Sequence, residues 1–220
     1  NVPVQWRMVE EEADGAIRSE AVLRAIEGAG LEQKQLALLV RMLTSGKMSR
    51  GVHGAVLGAV KEAYDRYLEA RGERGVWEVF GAGVTRPMEA ELEALEREVR
   101  GLRAPLTGKG TPNVTFNDNL VKAAECLQRR DWDAVLKLGL VIKVVEMAEQ
   151  FSRGPIEPPV RTAIARVAEA AGRALMVQLR DRNAATYEFL HRFDEAYRAL
   201  KAERGVMRFE DVPRAILEAG

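Results

Sequence analysis

The sequence has little of several residue types, and each shortage excludes a class of site or protein. A single cysteine, Cys126, excludes an intramolecular disulfide and suits a reducing compartment, so we expect a cytoplasmic protein. The two histidines, His53 and His191, have no histidine partner at metal-ligand spacing, so the sequence predicts no metal site. No run reaches the roughly 18 apolar residues that a membrane span needs, and no membrane partner is expected.

Neither sign of charge is in excess, because 33 Lys and Arg stand against 33 Asp and Glu. Bulk composition therefore predicts no nucleic-acid partner, and any such surface must come from local clusters of basic residues. Catalytic groups are also scarce. We interpret Cys126 as a small buried thiol and carboxylate pairs such as Glu96 and Glu98 as solvated helix surface, so no acid–base or nucleophilic catalysis is predicted.

One stretch, LTGKGT, resembles a phosphate-binding loop but has the wrong spacing. Such a loop needs Gly, four residues, then Gly-Lys-Ser/Thr, because its backbone amides wrap the phosphates. Here Lys109 is followed by Gly110, and Arg103 stands where the first glycine should be. We interpret the stretch as a surface loop that can offer Lys109 to a phosphate backbone, and we predict no cofactor in this chain.

Helical periodicity is what the sequence has in abundance, since apolar residues recur three or four positions apart in every long segment. The pattern predicts an all-α fold, an irregular multi-helix bundle, formed as one domain over 1–220. A sub-boundary is allowed near 105–117, and a proline-rich turn is predicted at 153–159. The predicted helices cover 10–30, 31–46, 52–72, 85–104, 119–131, 132–151 and 160–205, the last with a bend or break at Gly172 or 180–185.

The tail FDEAYRALKAERGVMRFEDVPRAIL closely resembles a segment of the UvrD-like, superfamily 1 DNA helicases, best of all the RecB/AddA type, the exonuclease V large subunits. The family has an aromatic residue, a Tyr, Leu-Lys, a turn with Gly, an apolar-x-Phe-x-Asp core and an apolar helix. Arg208 replaces the first acid of that core, which puts any role of the acid in doubt. The matching residues are Phe193, Tyr197, Leu200, Lys201, Gly205, Val206, Phe209, Asp211, Ile216 and Leu217.

The start, VPVQWRMVEEEADGAIRSEAVLRAI, resembles the segment that follows the early motifs of the same helicases. About 25 residues at each end carry the resemblance, and the middle shares only helical character and length. The two ends match the borders of one insertion in the family, the accessory subdomain 1B. A first residue of Asn rather than Met also favours a domain taken from a longer protein.

The resemblance implies a parent enzyme that hydrolyses ATP with Mg²⁺ and unwinds DNA while moving along a single strand. Its nucleotide loop, its Asp-Glu magnesium motif and its arginine finger would lie outside this chain. The chain itself is then non-catalytic, and its partners are single-stranded or forked DNA and the remaining motor domains. A nuclease domain, the translocation polarity and a partner subunit stay open.

Contacts to DNA would come from Lys and Arg on phosphates, without sequence preference. Each candidate has the alternative of being an ordinary solvated charge. Trp6, Trp77 and Trp132 are candidates for base stacking, although anchoring in the core or at an interface fits their apolar neighbours better. The candidate nucleic-acid-binding residues are Lys47, Arg50, Lys109, Arg129, Arg130, Arg153 and Arg161. Arg180 and Arg182 are further candidates.

The sequence leaves two alternatives open. Phe193, Tyr197 and Leu200 are spaced as the buried stripe of a helix, and Phe209 fits a core position, so the tail pattern is also explained by packing alone. For the whole chain, the rival to a DNA-contacting subdomain is a helical protein-interaction module with no nucleic-acid role. The zero net charge and acidic helices such as 89–98 favour this rival mildly.

Overall fold

The structure, a computed structural model, describes residues 6–28, 52–70, 72–213 and 216. It confirms the all-α, multi-helix prediction. The helix predicted at 31–46 lies outside the described residues. The helices are α1 (Glu11–Gly28), α2 (Val52–Glu69), α3 (Arg74–Glu78), α4 (Glu89–Gly101), α5 (Val114–Arg129), α6 (Trp132–Leu136), α7 (Gly139–Val145) and α8 (Pro158–Arg204); the strands are β1 (Arg7–Met8), β2 (Gln150–Phe151), β3 (Gly154–Pro155) and β4 (Val206–Met207).

The chain divides into two compact units. Unit 1 contains Asn1–Val79 and Asp181–Gly220, and unit 2 contains Phe80–Arg180. The long helix α8 therefore supplies its first half to unit 2 and its second half to unit 1. The loop at 105–117, where the sequence allows a sub-boundary, lies inside unit 2.

Unit 1 packs α1, α2 and the second half of α8 around an aromatic core. Three buried rings, Tyr64, Phe193 and Tyr197, meet at its centre. Phe193 stacks on Tyr197, and Tyr64 and Phe193 form a T-shaped pair with a centroid distance of 5.0 Å. β1 pairs in parallel with β4, with Arg7 opposite Val206. The extended segment at the start of the chain is thereby held against the segment that follows α8.

Unit 2 has an aliphatic core. α4 contributes Leu92, Leu95 and Val99 at helical spacing, and α5 packs against this stripe with Leu120 and Leu127. The first half of α8 adds small residues. Its buried positions are Val160, Ala163, Ile164, Val167, Ala170, Ala171 and Ala174.

Three predictions about helix limits were wrong. α5 begins at Val114, before the predicted 119, because the Asn113 side chain caps it by accepting a hydrogen bond from Phe116 N at 3.1 Å. The segment 132–151 forms two short helices and a strand instead of one helix. Gly139, at the start of α7, approaches Phe151 so closely that an added Cβ would lie 2.9 Å from Cε2 of that ring.

The break predicted in the last helix is absent, since α8 is continuous from Pro158 to Arg204. Gly172 costs a helix only about 1 kcal/mol relative to Ala, and alanines on both sides favour helix strongly. The polar segment 180–185 is also helical, and Thr186 donates its hydroxyl back to Arg182 O at 2.9 Å. Among the helices of the described ranges, none is long and apolar enough to cross a membrane.

Candidate nucleic-acid interface

The basic candidates differ in their surroundings and in their partners. Lys47 and Arg50 lie outside the described residues. Arg129 pairs with Glu125 one turn earlier at 3.3 Å, and Arg130 pairs with Glu89 of α4. Cations that are already neutralised have less to offer a phosphate.

Lys109 lies at the tip of a small closed loop. Leu106 and Pro112 form a bridge, and Thr107 N donates to Thr111 O at 2.7 Å. Gly110 N then donates to Thr107 O at 2.9 Å, which closes a turn with Lys109 near its apex. The Lys109 side chain is exposed and forms no ion pair with any described residue.

Arg153 lies at the tip of a second hairpin. β2 and β3 pair antiparallel, and the two residues between them, Ser152 and Arg153, both have positive φ, at 50° and 61°. Two-residue hairpin turns of this kind favour Asn-Gly, so Ser-Arg is a strained choice. Arg153 is exposed and forms no ion pair within the described part of the chain.

The two hairpins lie side by side. The side-chain amide of Asn113, at the end of the first loop, donates to Ser152 O at 2.7 Å. Gly154 fits against Pro105, whose Cγ would lie only 2.6 Å from an added Cβ. We call the region formed by residues 103–113 and 150–155 the hairpin end of unit 2.

Contacts within the hairpin end stabilise the strained turn at Ser152 and Arg153. Asn113 does two things at once, since its Oδ1 caps α5 while its Nδ2 holds the second hairpin. Strained turns persist where surrounding contacts hold them, and they concentrate at functional positions. Arg103, two residues before Pro105, is also exposed and has no ion pair among the described residues, although it was not one of the basic residues predicted from the sequence.

The other candidates contribute less to an open cationic surface. Arg161 is half-buried and donates from Nη2 to Ala148 O at 2.6 Å, while its Nη1 is buried without a hydrogen-bond partner in the described structure. Arg180 is half-buried and donates to Val84 O at 3.2 Å, and Arg182 is half-buried as well. These arginines are built into the fold.

The tryptophans do not provide an exposed stacking platform. Trp132 is buried in the unit 2 core, and Trp6 and Trp77 are half-buried. The interpretation of these residues as anchors is confirmed for Trp132. The hairpin end offers the exposed cations Lys109 and Arg153, which suit phosphates better than bases.

A second cluster, in unit 1, joins the two segments that resemble the helicase family. Asp14 of α1 is only 2% exposed. It accepts hydrogen bonds from Tyr197 of α8 and from Arg18 Nε, the latter at 2.8 Å, and lies 3.6 Å from Nε of Arg208. The Asp14 carboxylate, which belongs to the first segment, is therefore neutralised by Arg18 of the first segment and Arg208 of the second.

Lys201 and Asp211 extend this cluster. Lys201 is 6% exposed and its Nζ lies 2.7 Å from Oδ2 of Asp211 and 4.2 Å from the centre of the Tyr197 ring. Asp211 also accepts from Arg208 N at 2.8 Å. We call Asp14, Arg18, Tyr197, Lys201, Arg208 and Asp211 the end network.

The packing interpretation of the tail is confirmed in part and corrected at one residue. Phe193, Tyr197 and Leu200 are buried, as a helix stripe predicts. Gly205 has φ of 61° directly after α8, the left-handed geometry that ends many helices. Phe209, interpreted as core, is 78% exposed on the turn that follows β4.

Reactive groups of the described residues do not converge on one site. Cys126 is half-buried, and burial raises the pKa of its thiol, which makes it a poor nucleophile. His191 is exposed and its Nδ1 lies 3.0 Å from the Tyr67 hydroxyl, whereas the side chain of His53 is outside the description. Within the described residues, no three His, Cys, Asp or Glu side chains are grouped to hold a metal ion.

No protein-family model matches this chain, and neither does any curated protein or solved structure.

Proposed function

We propose that this chain is a DNA-contacting accessory subdomain of an ATP-dependent DNA helicase of the UvrD-like, RecB/AddA type. ATP hydrolysis and magnesium binding belong to the parent's motor domains in this proposal, and the chain itself performs no chemistry. Its work is to hold DNA near the fork and to attach to the motor core.

The observation that carries the proposal is the joining of the two resembling segments. An accessory subdomain inserted into a motor domain must leave and return at neighbouring points. β1 pairs with β4, and the Asp14 carboxylate accepts a hydrogen bond from the hydroxyl of Tyr197, 183 positions away along the chain. The segments that suggested the family from sequence alone therefore meet in one unit, which is the geometry that an insertion requires.

The DNA-contacting role is assigned to the hairpin end. Lys109 and Arg153 are exposed, are without an ion pair in the described structure and stand on two hairpins that touch at Asn113 and Ser152. Unit 2 also carries slightly more Lys and Arg than Asp and Glu. Binding through phosphates would be sequence-independent and would weaken with salt, because each contact releases a condensed counterion.

Attachment to the motor core is assigned to the segment after β4. Phe209 and Ile216 are 78% and 66% exposed, and a large apolar side chain in this position is suited to burial against another domain. The resemblance places the next motor motif directly after this segment. In this proposal Phe209 keeps its family position but packs against the parent's motor domain.

The test is fluorescence anisotropy with labelled forked DNA at low and moderate salt. We expect a dissociation constant of about 10⁻⁴ to 10⁻⁶ M, rising steeply with salt. Lys109→Glu and Arg153→Glu should each weaken binding by about three- to tenfold for every sequence. Arg129→Glu is the matched control, since it makes the same charge change at the far end of α5, about 22 Å along the helix from Val114.

Two results would contradict the assignment. Equal losses in all three variants would mean that only net charge matters and that the hairpin end has no special role. Absence of binding at low salt would remove the DNA role and favour the rival function, a helical protein-interaction module, which the exposure of Phe209 also suits.

A further inference from the structure

Unit 1 contains a cleft that is lined in part by the end network, and the open space of this cleft has no role in the proposed DNA contact or motor attachment. It has a volume of about 590 Å³ and is walled by α1, α2 and the segment after β4. We call it the α1–α2 cleft. Its size is within the range of sites that hold small molecules or the side chains of a docked peptide.

The wall formed by α2 has helical periodicity. Leu57, Lys61, Tyr64 and Leu68 line the cleft at intervals of four, three and four residues. From Leu57 to Leu68 this wall runs about 16 Å along the helix axis, which is three turns. A surface that repeats with this spacing fits the side chains of another helix, which repeat in the same way.

The polar groups deep in the cleft are already satisfied by one another. Asp14 is bonded to Arg18 and Tyr197, and Tyr64 donates its hydroxyl to Asp194 at 2.5 Å. An occupant of the cleft therefore does not have to supply hydrogen-bond partners for these groups. The half-buried Leu57 and Leu68 offer apolar contact instead.

The rim carries an excess of negative charge. Glu11 of α1 and Asp65 of α2 both line the cleft, are exposed, and form no ion pair with a described residue. Glu210 is engaged by Arg208 at 3.1 Å, and Lys61 is the exposed cation of the same wall. Two carboxylates without an ion pair to any described residue, beside one exposed cation, favour a positively charged occupant.

We propose that the α1–α2 cleft is the docking groove for an amphipathic helix of a separate partner protein. The helix would place apolar residues at i, i+3 or i+4, and i+7 against Leu57 and Leu68, and Lys or Arg on its flank beside Glu11 and Asp65. An acidic groove repels DNA, so this interaction is separate from the one at the hairpin end. It also does not depend on the proposed helicase role.

The test uses two fluorescein-labelled synthetic peptides of about 14 residues, roughly 21 Å of helix. One has Leu on one face and Lys on the other, and the second has Glu in place of every Lys. The Leu/Lys peptide should bind with a dissociation constant in the micromolar range, at least tenfold more tightly than the Leu/Glu peptide. A Leu/Lys peptide with scrambled order should lose the binding, because its apolar stripe is gone.

The variant Glu11→Lys with Asp65→Lys should weaken the Leu/Lys peptide about tenfold. Its matched control is Glu12→Lys with Glu62→Lys, which makes the same charge change at exposed positions of the same helices outside the cleft, and should change affinity less than twofold. Circular dichroism checks that both variants remain folded. Equal affinity for the Lys and Glu peptides, or equal losses in the two variants, would overturn the proposal.

Anisotropy with the same DNA separates this inference from the proposed function. Glu11→Lys with Asp65→Lys should leave the effects of Lys109→Glu and Arg153→Glu on DNA binding unchanged. Peptide binding that disappears in Lys109→Glu or Arg153→Glu would place the peptide at the hairpin end and contradict the groove.

Discussion

The two units bury different kinds of side chain. All four tyrosines of the chain, Tyr64, Tyr67, Tyr187 and Tyr197, lie in unit 1 and are buried there. The buried charges of the described residues, Asp14 and Lys201, lie there too. Unit 2 instead fills its core with Leu, Val, Ile and Ala around Phe116 and Trp132. One unit is held by hydroxyls and charges as well as by apolar area, the other chiefly by apolar area.

Because the two cores differ in this way, the two units should tolerate different substitutions. An aliphatic core accepts residues of similar volume at small cost, because dispersion and burial have no direction. A buried polar network accepts only partners that satisfy every group, since an unpaired charge in a low dielectric is expensive. The end network should therefore be the more sensitive of the two to a single isosteric change.

The largest expected effect is at Asp14. Asp14→Ala leaves Arg18 without its carboxylate and the Tyr197 hydroxyl without its acceptor, and should lower the free energy of unfolding by about 3–5 kcal/mol. Urea denaturation followed by the second-derivative absorbance of tyrosine reports unit 1, because unit 2 has no tyrosine. Glu12→Ala, an exposed change on the same helix, should stay within about 0.5 kcal/mol of the parent chain. Similar losses for both would mean that Asp14 is not neutralised as described.

Unit 2 should respond to volume instead. Leu127 is fully buried on α5, and Leu127→Ala should cost about 2–5 kcal/mol through lost burial and a cavity. Leu127→Met keeps the volume and should cost less than about 1.5 kcal/mol. The measurement is urea denaturation monitored by Trp132 fluorescence in a background in which Trp6 and Trp77 are Phe. If Met and Ala at this position were equally damaging, the comparison between the units would fail.

A smaller effect is expected at Arg208, where the chain departs from the helicase pattern. Arg208→Asp restores the acid of the family but places a second carboxylate beside Asp14, which Arg208 now approaches at 3.6 Å. The variant should lose about 1–3 kcal/mol in urea denaturation. Arg208→Lys keeps the charge and serves as the control. A stabilising Arg208→Asp would show that Arg208 plays no part in neutralising Asp14.

The sequence predicted what depends on local pattern. Helical periodicity predicted the all-α class, and the spacing of Phe193, Tyr197 and Leu200 predicted their buried stripe. The pattern of apolar residues did not reveal that Asp14 is buried. An acid in the first turn of a helix is ordinarily a surface residue, and the hydroxyl that donates a hydrogen bond to it, that of Tyr197, comes from 183 positions away.

The sequence did not reveal the hairpin end either, because this region also depends on contacts between residues far apart in the chain. Lys109 and Arg153 were selected separately, but their hairpins meet through Asn113 and Ser152, which are 39 positions apart. The Ser-Arg turn also lacks the Asn-Gly signal that marks tight hairpins in a sequence. Phe209 was misplaced because hydrophobicity predicts burial, whereas this side chain is exposed on the turn after β4.

The smallest expected effect, and the one that separates the two cores by pH, comes from the tyrosines. Burial raises the pKa of Tyr67 to about 12, and burial with the hydrogen bond to Asp14 raises the pKa of Tyr197. Unfolded tyrosines ionise near 10, so between about pH 10 and 12 the folded state binds more protons than the unfolded chain. Their contribution to stability is present below about pH 10 and is lost as the pH rises toward the folded pKa.

Lys201 acts in the opposite direction, and its effect lies at lower pH, below the ordinary pKa of a lysine. Burial lowers the pKa of its ammonium group, although Asp211 partly offsets this, so the folded state releases that proton first. The tyrosine effect is isolated by comparing the parent chain with Tyr67→Phe, which removes the titrating hydroxyl but keeps the ring. Urea denaturation at about pH 8, 10 and 11 should show a decline in the parent chain that is shallower in Tyr67→Phe, while the unfolding of unit 2, followed at Trp132, should lack this tyrosine-dependent decline. A decline of equal steepness in both proteins would show that Tyr67 titrates no differently in the folded and unfolded chain.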